Sequence, residues 1–297
     1  MTSPAHISAR SGALMALVSM SCVQLGLAAS VGLLHRLGPE GAAALRLGCA
    51  GALVLLLVRP RPTSLSPRSV AAAATLGVAT GSMTLLFMAA LDRIPLGTAS
   101  ALEFLGPLGV ALARNRDLRQ LVWPALALAG ILLLTRPWEG GTDPVGVALA
   151  LGAAACWAAY ILLTQAVGDA VDGLQGLAIS LPVAGLVATA VAGPGFVTRL
   201  TPELAVLGLG LAILLPVIPF SLEMLALRRL ETAAFGTLMS LEPAIAALVG
   251  LVLLHQVPGM PAIAGVALVV VAGAGATRSG GRRRAPSQGQ CEPVLVG

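Results

Sequence analysis

Seven polar side chains interrupt long apolar stretches of this sequence, and they are the residues that could do chemistry. They are Gln24, Arg46, Glu103, Tyr160, Gln165, Glu223 and Glu242. Glu223 lies near the cytoplasmic end of its predicted span, where we expect a structural role. A carboxylate can bind an ammonium group or a proton, and a guanidinium can bind a carboxylate through two hydrogen bonds. The set therefore contains the groups that a small zwitterion needs. Each member could instead form an ion pair or a hydrogen bond that only fixes helix packing.

A proline accompanies two of the carboxylates. Glu103 lies four residues before Pro107, and Glu242 directly precedes Pro243. A proline inside a helix removes one backbone hydrogen bond, frees a carbonyl oxygen and bends the helix. We therefore expect helix kinks at Pro107 and Pro243, each with a polar backbone group beside an acid.

Membrane-spanning helices must position these residues. The chain of 297 residues is 57% hydrophobic and only 10% charged, with a mean hydropathy of +0.92, whereas soluble domains carry roughly 25% charged residues. No water-soluble fold could bury so many apolar side chains, so the composition predicts an all-α integral membrane protein. A helix crosses a bilayer with about 20 apolar residues. By that length the sequence predicts ten spans, at residues 12–34, 41–58, 70–91, 96–113, 120–135, 145–166, 174–192, 203–227, 233–254 and 260–277.

The arginines predict the orientation of these spans. If the N-terminus is cytoplasmic, thirteen arginines fall in cytoplasmic segments and four in external ones. Cytoplasmic loops of membrane proteins carry the excess of basic residues, so we expect both termini in the cytoplasm. Arg46 lies within the second span, where it could extend to the membrane surface or face an internal cavity.

An internal repeat relates the two halves of the chain. Slid by 136 positions, Pro107 falls on Pro243; at an offset near 134, Gly51 falls on Gly185. Each half contains five predicted spans, an odd number, so the second half enters the membrane from the opposite side. Inverted repeats place a binding site between the halves, and rocking of the halves alternates access to it. This arrangement favours a transporter, although channels can also have it.

The repeat predicts the organisation of the chain. We expect a cytoplasmic N-terminus at residues 1–11, a first repeat of five helices at 12–136, a linker at 137–144, a second repeat at 145–277, and a disordered cytoplasmic tail at 278–297.

The sequence lacks the motifs of common enzyme classes. It has no Walker loop, no HExxH, no GxSxG and no cysteine–histidine cluster with metal-ligand spacing. We therefore expect a protein that is not an enzyme, with no catalytic residue, no cofactor and no metal site. An ATP-driven pump would need a soluble nucleotide-binding domain, so transport driven by an ion gradient, or downhill transport, remains.

Three segments carry a family resemblance. They are IPLGTASALEFLGPLGVALA (94–113), ALALGAAACWAAYILL (148–163) and FGTLMSLEPAIAALVGLVLL (235–254). The chain resembles the EamA family of the drug/metabolite transporter superfamily over about residues 10–277, and within it the inner-membrane threonine/homoserine exporter branch.

The resemblance implies ten helices, a central cavity lined by both halves, and efflux of small metabolites. Arg46 matches an arginine common in the family's second helix, and Glu242-Pro243 matches its Glu-Pro. The chain departs from the family at the end of the ninth helix. There the family often has Gly-Glu, and this sequence has His255-Gln256, so the role of that acid is in doubt here.

Residues and resemblance together predict a secondary exporter of small amino acids or related zwitterions in the bacterial plasma membrane. Export of cationic drugs or other metabolites is the alternative, although drug sites use aromatic residues and these make up only 3% here. A channel is the alternative from another class. The expected partners are a small-molecule substrate and the lipid bilayer, with no nucleic acid; proton coupling and a homodimer are left open.

Overall fold

The structure is a computed structural model. It describes residues 4–58, 66–113, 122–136, 142–170, 175–219, 222, 226 and 238–279. These residues form helices and the turns that join them, and no strand occurs among them. Glu223, the predicted linker from 137 to 141 and the predicted tail beyond Ser279 lie outside the described residues.

The helices follow one another along the chain with short connections. Their bounds are α1 Pro4–Val58, α2 Pro67–Leu91, α3 Leu96–Glu103, α4 Leu105–Ala113, α5 Val122–Thr135, α6 Pro144–Ala170, α7 Gln175–Ala192, α8 Pro194–Thr198, α9 Pro202–Ala212, a π-helical turn Ile213–Val217, α10 Glu242–Leu253 and α11 Met260–Ser279.

Several of these helices have the length and composition of membrane spans. Four described stretches are long and apolar enough to cross a bilayer: Ser11–Val58, Pro67–Leu91, Pro144–Thr164 and Gln175–Ala192. Shorter apolar helices accompany them, and large side chains such as Leu56 (72% exposed) and Val206 (72% exposed) point outward. Apolar surfaces of this kind suit lipid contact, so the chain is an all-α, multi-pass membrane protein.

The first helix consists of two arms. Its regular conformation breaks at Gly38, with φ 74° and ψ 169°, and Pro39 follows. Glycine adopts a positive φ without strain, and proline suits the first position of a helix because its missing N–H would have no partner there. The connection predicted between the first two spans, residues 35–40, is therefore a single non-helical residue, Gly38. The two arms are residues 4–37 and 39–58.

Two helical interruptions lie beside the two candidate acids. The chain turns at Phe104, between α3 and α4, and again at Ser240 and Leu241, immediately before α10. The repeat offset of 136 residues makes Phe104 equivalent to Ser240, so the two interruptions occur at equivalent positions. Because Pro107 has no N–H, the carbonyl of Glu103 loses the donor that a continuous helix would supply.

The second arm of α1 and α7 contact each other through equivalent atoms. A Cβ built on Gly51 would lie 2.9 Å from the Cα of Pro182, and one built on Gly185 would lie 3.1 Å from the Cα of Gly48. With the offset of 134, Gly51 is equivalent to Gly185 and Gly48 to Pro182. The contact is therefore reciprocal, and the paired positions run in opposite directions along the two helices.

Other glycines bring backbones together at further crossings. Gly77 and Gly81, which have the GxxxG spacing, lie against Ser180 and Ala184 of α7. Between α5 and α11, the Cβ position of Gly130 lies 2.8 Å from a carbonyl oxygen of the opposite helix, and that of its partner Gly265 lies 2.7 Å from one. Such close approach is how helices associate in lipid, where water supplies no driving force between them.

A methyl group on Gly51 tests the α1–α7 contact. We expect Gly51→Ala to lower the thermal stability of the detergent-solubilised protein, because its neighbour is rigid backbone and overpacking costs roughly 1–3 kcal/mol. Gly210→Ala is the control, since nothing lies within 4 Å of that Cβ position. Equal melting temperatures for Gly51→Ala and the parent protein would contradict the close contact.

Candidate functional site

A hydrogen bond between Gln24 and Glu242 joins distant parts of the chain. Gln24, in the first arm of α1, is 1% exposed, and its Nε2 donates to Oε1 of Glu242 at 3.2 Å across 218 residues of sequence. Glu242 is half-buried and begins α10. An amide hydrogen bond stabilises a buried carboxylate that apolar surroundings would otherwise destabilise.

Arg46 and Glu103 complete a cluster of charges with Glu242. The charge of Glu103 interacts with both Arg46 and Glu242. Arg46 and Glu103 do not form an ion pair within 4.0 Å. The ion pairs found among the described residues are Arg36–Glu203 and Arg93–Asp143. Nη1 of Arg46 is buried and has no hydrogen-bond partner among the described residues. Arg46 and Glu103 therefore attract each other without a direct ion pair, while the charges of Glu103 and Glu242 repel each other.

This arrangement of charges has the polarity of a zwitterion site. A buried charge needs a partner, and the guanidinium can receive a carboxylate while an acid receives an ammonium group. We name Gln24, Arg46, Glu103 and Glu242 the central polar cluster. The cluster draws on both arms of α1, on α3 and on α10, so it lies where the two predicted halves meet.

Two residues near the cluster were not singled out from the sequence. Cys156 of α6 lies near Glu103. Ser100 lies one helical turn before Glu103, and its hydroxyl is buried without a hydrogen-bond partner among the described residues. The spacing of three residues, which puts two side chains on neighbouring positions of one helix face, is the signal that could have indicated Ser100.

Tyr160 packs against an apolar group formed by Ala73 and Leu76 of α2. Ile179 of α7 packs against the same group. Glu223 lies outside the described residues.

The internal repeat shows how unusual the Gln24–Glu242 contact is. With the offsets of 134 and 136, the equivalent positions are Ala158 and Gly106. There the Cβ position of Gly106 lies 3.2 Å from the amide nitrogen of Ala158 and contacts the Ala154 carbonyl oxygen. The helix crossing at Gln24 and Glu242 is therefore polar, whereas the equivalent crossing at Ala158 and Gly106 is a close contact of small residues.

Known proteins share this architecture and sequence. Residues 144–277 match the EamA-like transporter family. The threonine/homoserine exporter RhtA of Salmonella typhimurium (strain LT2) is 35% identical over 267 residues, covering 89% of this chain and 90% of the relative. The chain belongs to the EamA-like transporter family. RhtA of Escherichia coli K12 is 36% identical over 264 residues, covering 88% of this chain and 89% of the relative.

A solved structure supports the fold. A crystal structure of another protein superposes with a TM-score of 0.60 at 18% identity, covering 93% of this chain and 99% of that one. Membership of this transporter family makes the chain a transporter and not an enzyme.

The EamA chain also has a cavity at the N-terminal end of α3. Its volume is about 440 Å³. The lining residues include Arg93, Thr98, Arg136, Asp143, Ala247 and Gln256. Arg93 donates to Oδ2 of Asp143 at 2.9 Å, and this hydrogen bond lowers the pKa of Asp143. The carboxyl group therefore stays ionised at neutral pH.

Gln256, where the family resemblance implies an acid, lines this cavity. His255, where the resemblance implies a glycine, has φ 54°, a conformation that glycine favours. Gln256 accepts from the Leu96 amide through Oε1 at 3.0 Å. The amide thus caps the start of α3, whereas His255 is exposed.

The hydrogen bond between Gln256 and the start of α3 predicts how substitutions of Gln256 affect stability. We expect Gln256→Ala to destabilise the protein by about 0.5–2 kcal/mol, the usual effect of removing a helix cap. Gln256→Glu, the family's residue, should retain the stability, because it keeps the acceptor oxygen and an anion favours a helix N-terminus. Thermal unfolding in detergent compares the three proteins. Loss of stability in Gln256→Glu as large as in Gln256→Ala would contradict capping by the side-chain oxygen.

Proposed function

We propose that this transporter exports small amino acids, such as threonine or homoserine, across the bacterial plasma membrane. The observation that carries the proposal is the central polar cluster, which holds one guanidinium and two carboxylates within an apolar chain. Sequence identity of 35–36% to threonine/homoserine exporters, over nearly nine-tenths of the chain, supports the substrate class.

Arg46 binds the substrate carboxylate, and Glu103 or Glu242 binds its ammonium group. The buried, unpartnered Nη1 of Arg46 supports the first assignment, because a buried donor is stabilised by an acceptor. The charge interactions of Glu103 with both Arg46 and Glu242 support the second. A zwitterion between them would place each of its charges beside an opposite one.

The chain forms ten spans in two inverted five-helix repeats, residues 12–136 and 145–277. The reciprocal contact of Gly51 and Gly185 supports this arrangement, because an internal two-fold axis exchanges equivalent atoms. The Gly130–Gly265 contact supports it too, since these residues occupy nearly equivalent positions. Rocking of the halves then exposes the cluster to each side of the membrane in turn.

Proton coupling fits the charge balance of the cluster. Two carboxylates share one guanidinium, so the empty site holds excess negative charge unless it carries a proton. The ammonium group of a substrate binds the same carboxylate that the proton would occupy, while the substrate carboxylate binds Arg46. Substrate and proton therefore compete, which couples outward amino-acid movement to inward proton movement.

The orientation of the chain follows from its arginines, with both termini cytoplasmic. In a cysteine-free background, we expect single cysteines near Arg10, Arg116 and Thr277 to react with membrane-impermeant maleimide only from the cytoplasmic side. A cysteine near Gly140 should react from outside. Termini on opposite sides of the membrane would contradict ten spans and the inverted repeat.

Replacement of Glu242 tests the role of the cluster. Glutamine keeps the shape but neither binds an ammonium group by charge nor titrates. We expect Glu242→Gln to insert normally and to export about ten- to hundredfold more slowly, the effect of losing a charged hydrogen bond worth roughly 1.5–3 kcal/mol. Export by the parent should change with external pH, and this dependence should weaken in the variant.

Export of labelled threonine, at matched membrane expression, measures both effects. Glu203→Gln is the control, because Glu203 pairs with Arg36 at an exposed position, 78% accessible, where exposed ion pairs contribute little. A Glu242→Gln protein with the parental rate and gradient would assign Glu242 to packing alone.

A further inference from the structure

Gln24 carries a buried acceptor that the proposed charge contacts do not use. Its Nε2 donates to Glu242, and its Oε1 has no hydrogen-bond partner among the described residues. The side chain is 1% exposed. A buried carbonyl oxygen without a donor is unfavourable, so this oxygen is suited to a donor that arrives with a ligand.

The orientation of the amide is fixed by Glu242. A carboxylate accepts hydrogen bonds and donates none when ionised. If the amide were reversed, two acceptor oxygens would face each other across the contact. Glu242 therefore holds the Nε2 side of Gln24, and the carbonyl oxygen must point elsewhere.

We propose that Oε1 of Gln24 accepts a hydrogen bond from the side-chain hydroxyl of the substrate, which makes Gln24 the residue that selects hydroxylated amino acids. The inference rests on the proposed function, because it assumes an amino acid in the central polar cluster. It adds a neutral hydrogen bond to the two charged contacts already assigned.

The chemistry of the substrate fits this placement. In threonine the hydroxyl lies on the carbon next to the one that carries the ammonium group. A ligand whose ammonium group contacts Glu242 therefore brings its hydroxyl beside the amide that Glu242 holds. Homoserine carries the hydroxyl one carbon further out, on a flexible chain that can reach the same oxygen.

The ammonium group is a poorer match for this oxygen than the hydroxyl. Carboxylates attract an ammonium group by charge, and the cluster offers Glu103 and Glu242 for it. The neutral oxygen Oε1 of Gln24 is therefore better suited to the neutral hydroxyl donor. The equivalent position in the second half is Ala158, which has no polar side chain, so the site has one such acceptor and not two.

Ser100 is the rival for the same role. Its buried hydroxyl also lacks a hydrogen-bond partner among the described residues, so no hydrogen bond fixes its orientation. A hydroxyl rotates and can donate as well as accept, so Ser100 is a less specific acceptor than the amide oxygen of Gln24.

Isosteric substrate pairs test the inference. Threonine and valine differ by a hydroxyl in place of a methyl group, as do homoserine and norvaline. Counterflow in proteoliposomes gives KM and kcat for each without knowledge of the coupling ion. We expect the parent protein to show a KM about tenfold or more lower for the hydroxylated member of each pair, because the methyl analogue leaves a buried acceptor unpaired.

Gln24→Met keeps the length of the side chain but removes both the acceptor Oε1 and the donor that holds Glu242. We expect the KM to rise for both substrates, and the ratio of the valine KM to the threonine KM to fall toward one. Ser100→Ala is the matched control and should keep the parental preference. A purely structural role for Gln24 would change transport of both substrates by the same factor, and that result would overturn the inference.

The outcomes separate the inference from the proposed function. If the parent transports no amino acid, the proposed function fails. If it transports threonine and valine with equal KM, the function stands and the role of Gln24 fails, whether or not Gln24→Met folds. Loss of preference in Ser100→Ala with retention in Gln24→Met would assign the selection to Ser100 and overturn the inference.

Discussion

The hydrogen bond from the Gln24 amide to the Glu242 carboxylate is the interaction on which the arrangement of the site depends. Apolar surroundings strongly disfavour an isolated charge, so a carboxylate at this depth must be held by specific partners. The bond holds Glu242 against the first arm of α1, near the charges of Glu103 and Arg46. It also fixes the direction of the remaining Gln24 oxygen.

Close contacts of small residues surround this polar crossing. Gly51 and Gly185 bring the second arm of α1 against α7, and Gly130 and Gly265 bring α5 against α11. Backbones this close cannot separate or slide without losing many van der Waals contacts. The polar cluster, by contrast, holds its charges without a direct ion pair between Arg46 and Glu103.

The Gln24–Glu242 contact has no polar counterpart at the positions that the internal repeat makes equivalent. Those positions are Ala158 and Gly106, where the backbones are in close contact. The polar cluster is therefore asymmetric. A cluster of this kind complements a ligand with one carboxylate and one ammonium group better than a symmetric one would.

The sequence by itself determined the class, the family and the candidate residues. The all-α membrane class follows from composition, and the EamA family from motifs such as the one around Glu242-Pro243; both predictions are confirmed. Apolar run length, proline and glycine act locally, so a sequence shows them. The number of spans and the roles of the site residues stay predictions.

Only the tertiary structure decided which polar groups meet. Gln24 and Glu242 are 218 residues apart, and nothing in either segment specifies the other. The separation of Arg46 from Glu103, the apolar position of Tyr160 and the cap that Gln256 forms on α3 likewise depend on which helices adjoin. The physical reason is that neighbours in a bundle are selected by packing between distant small residues, a property of pairs of segments and not of any one segment.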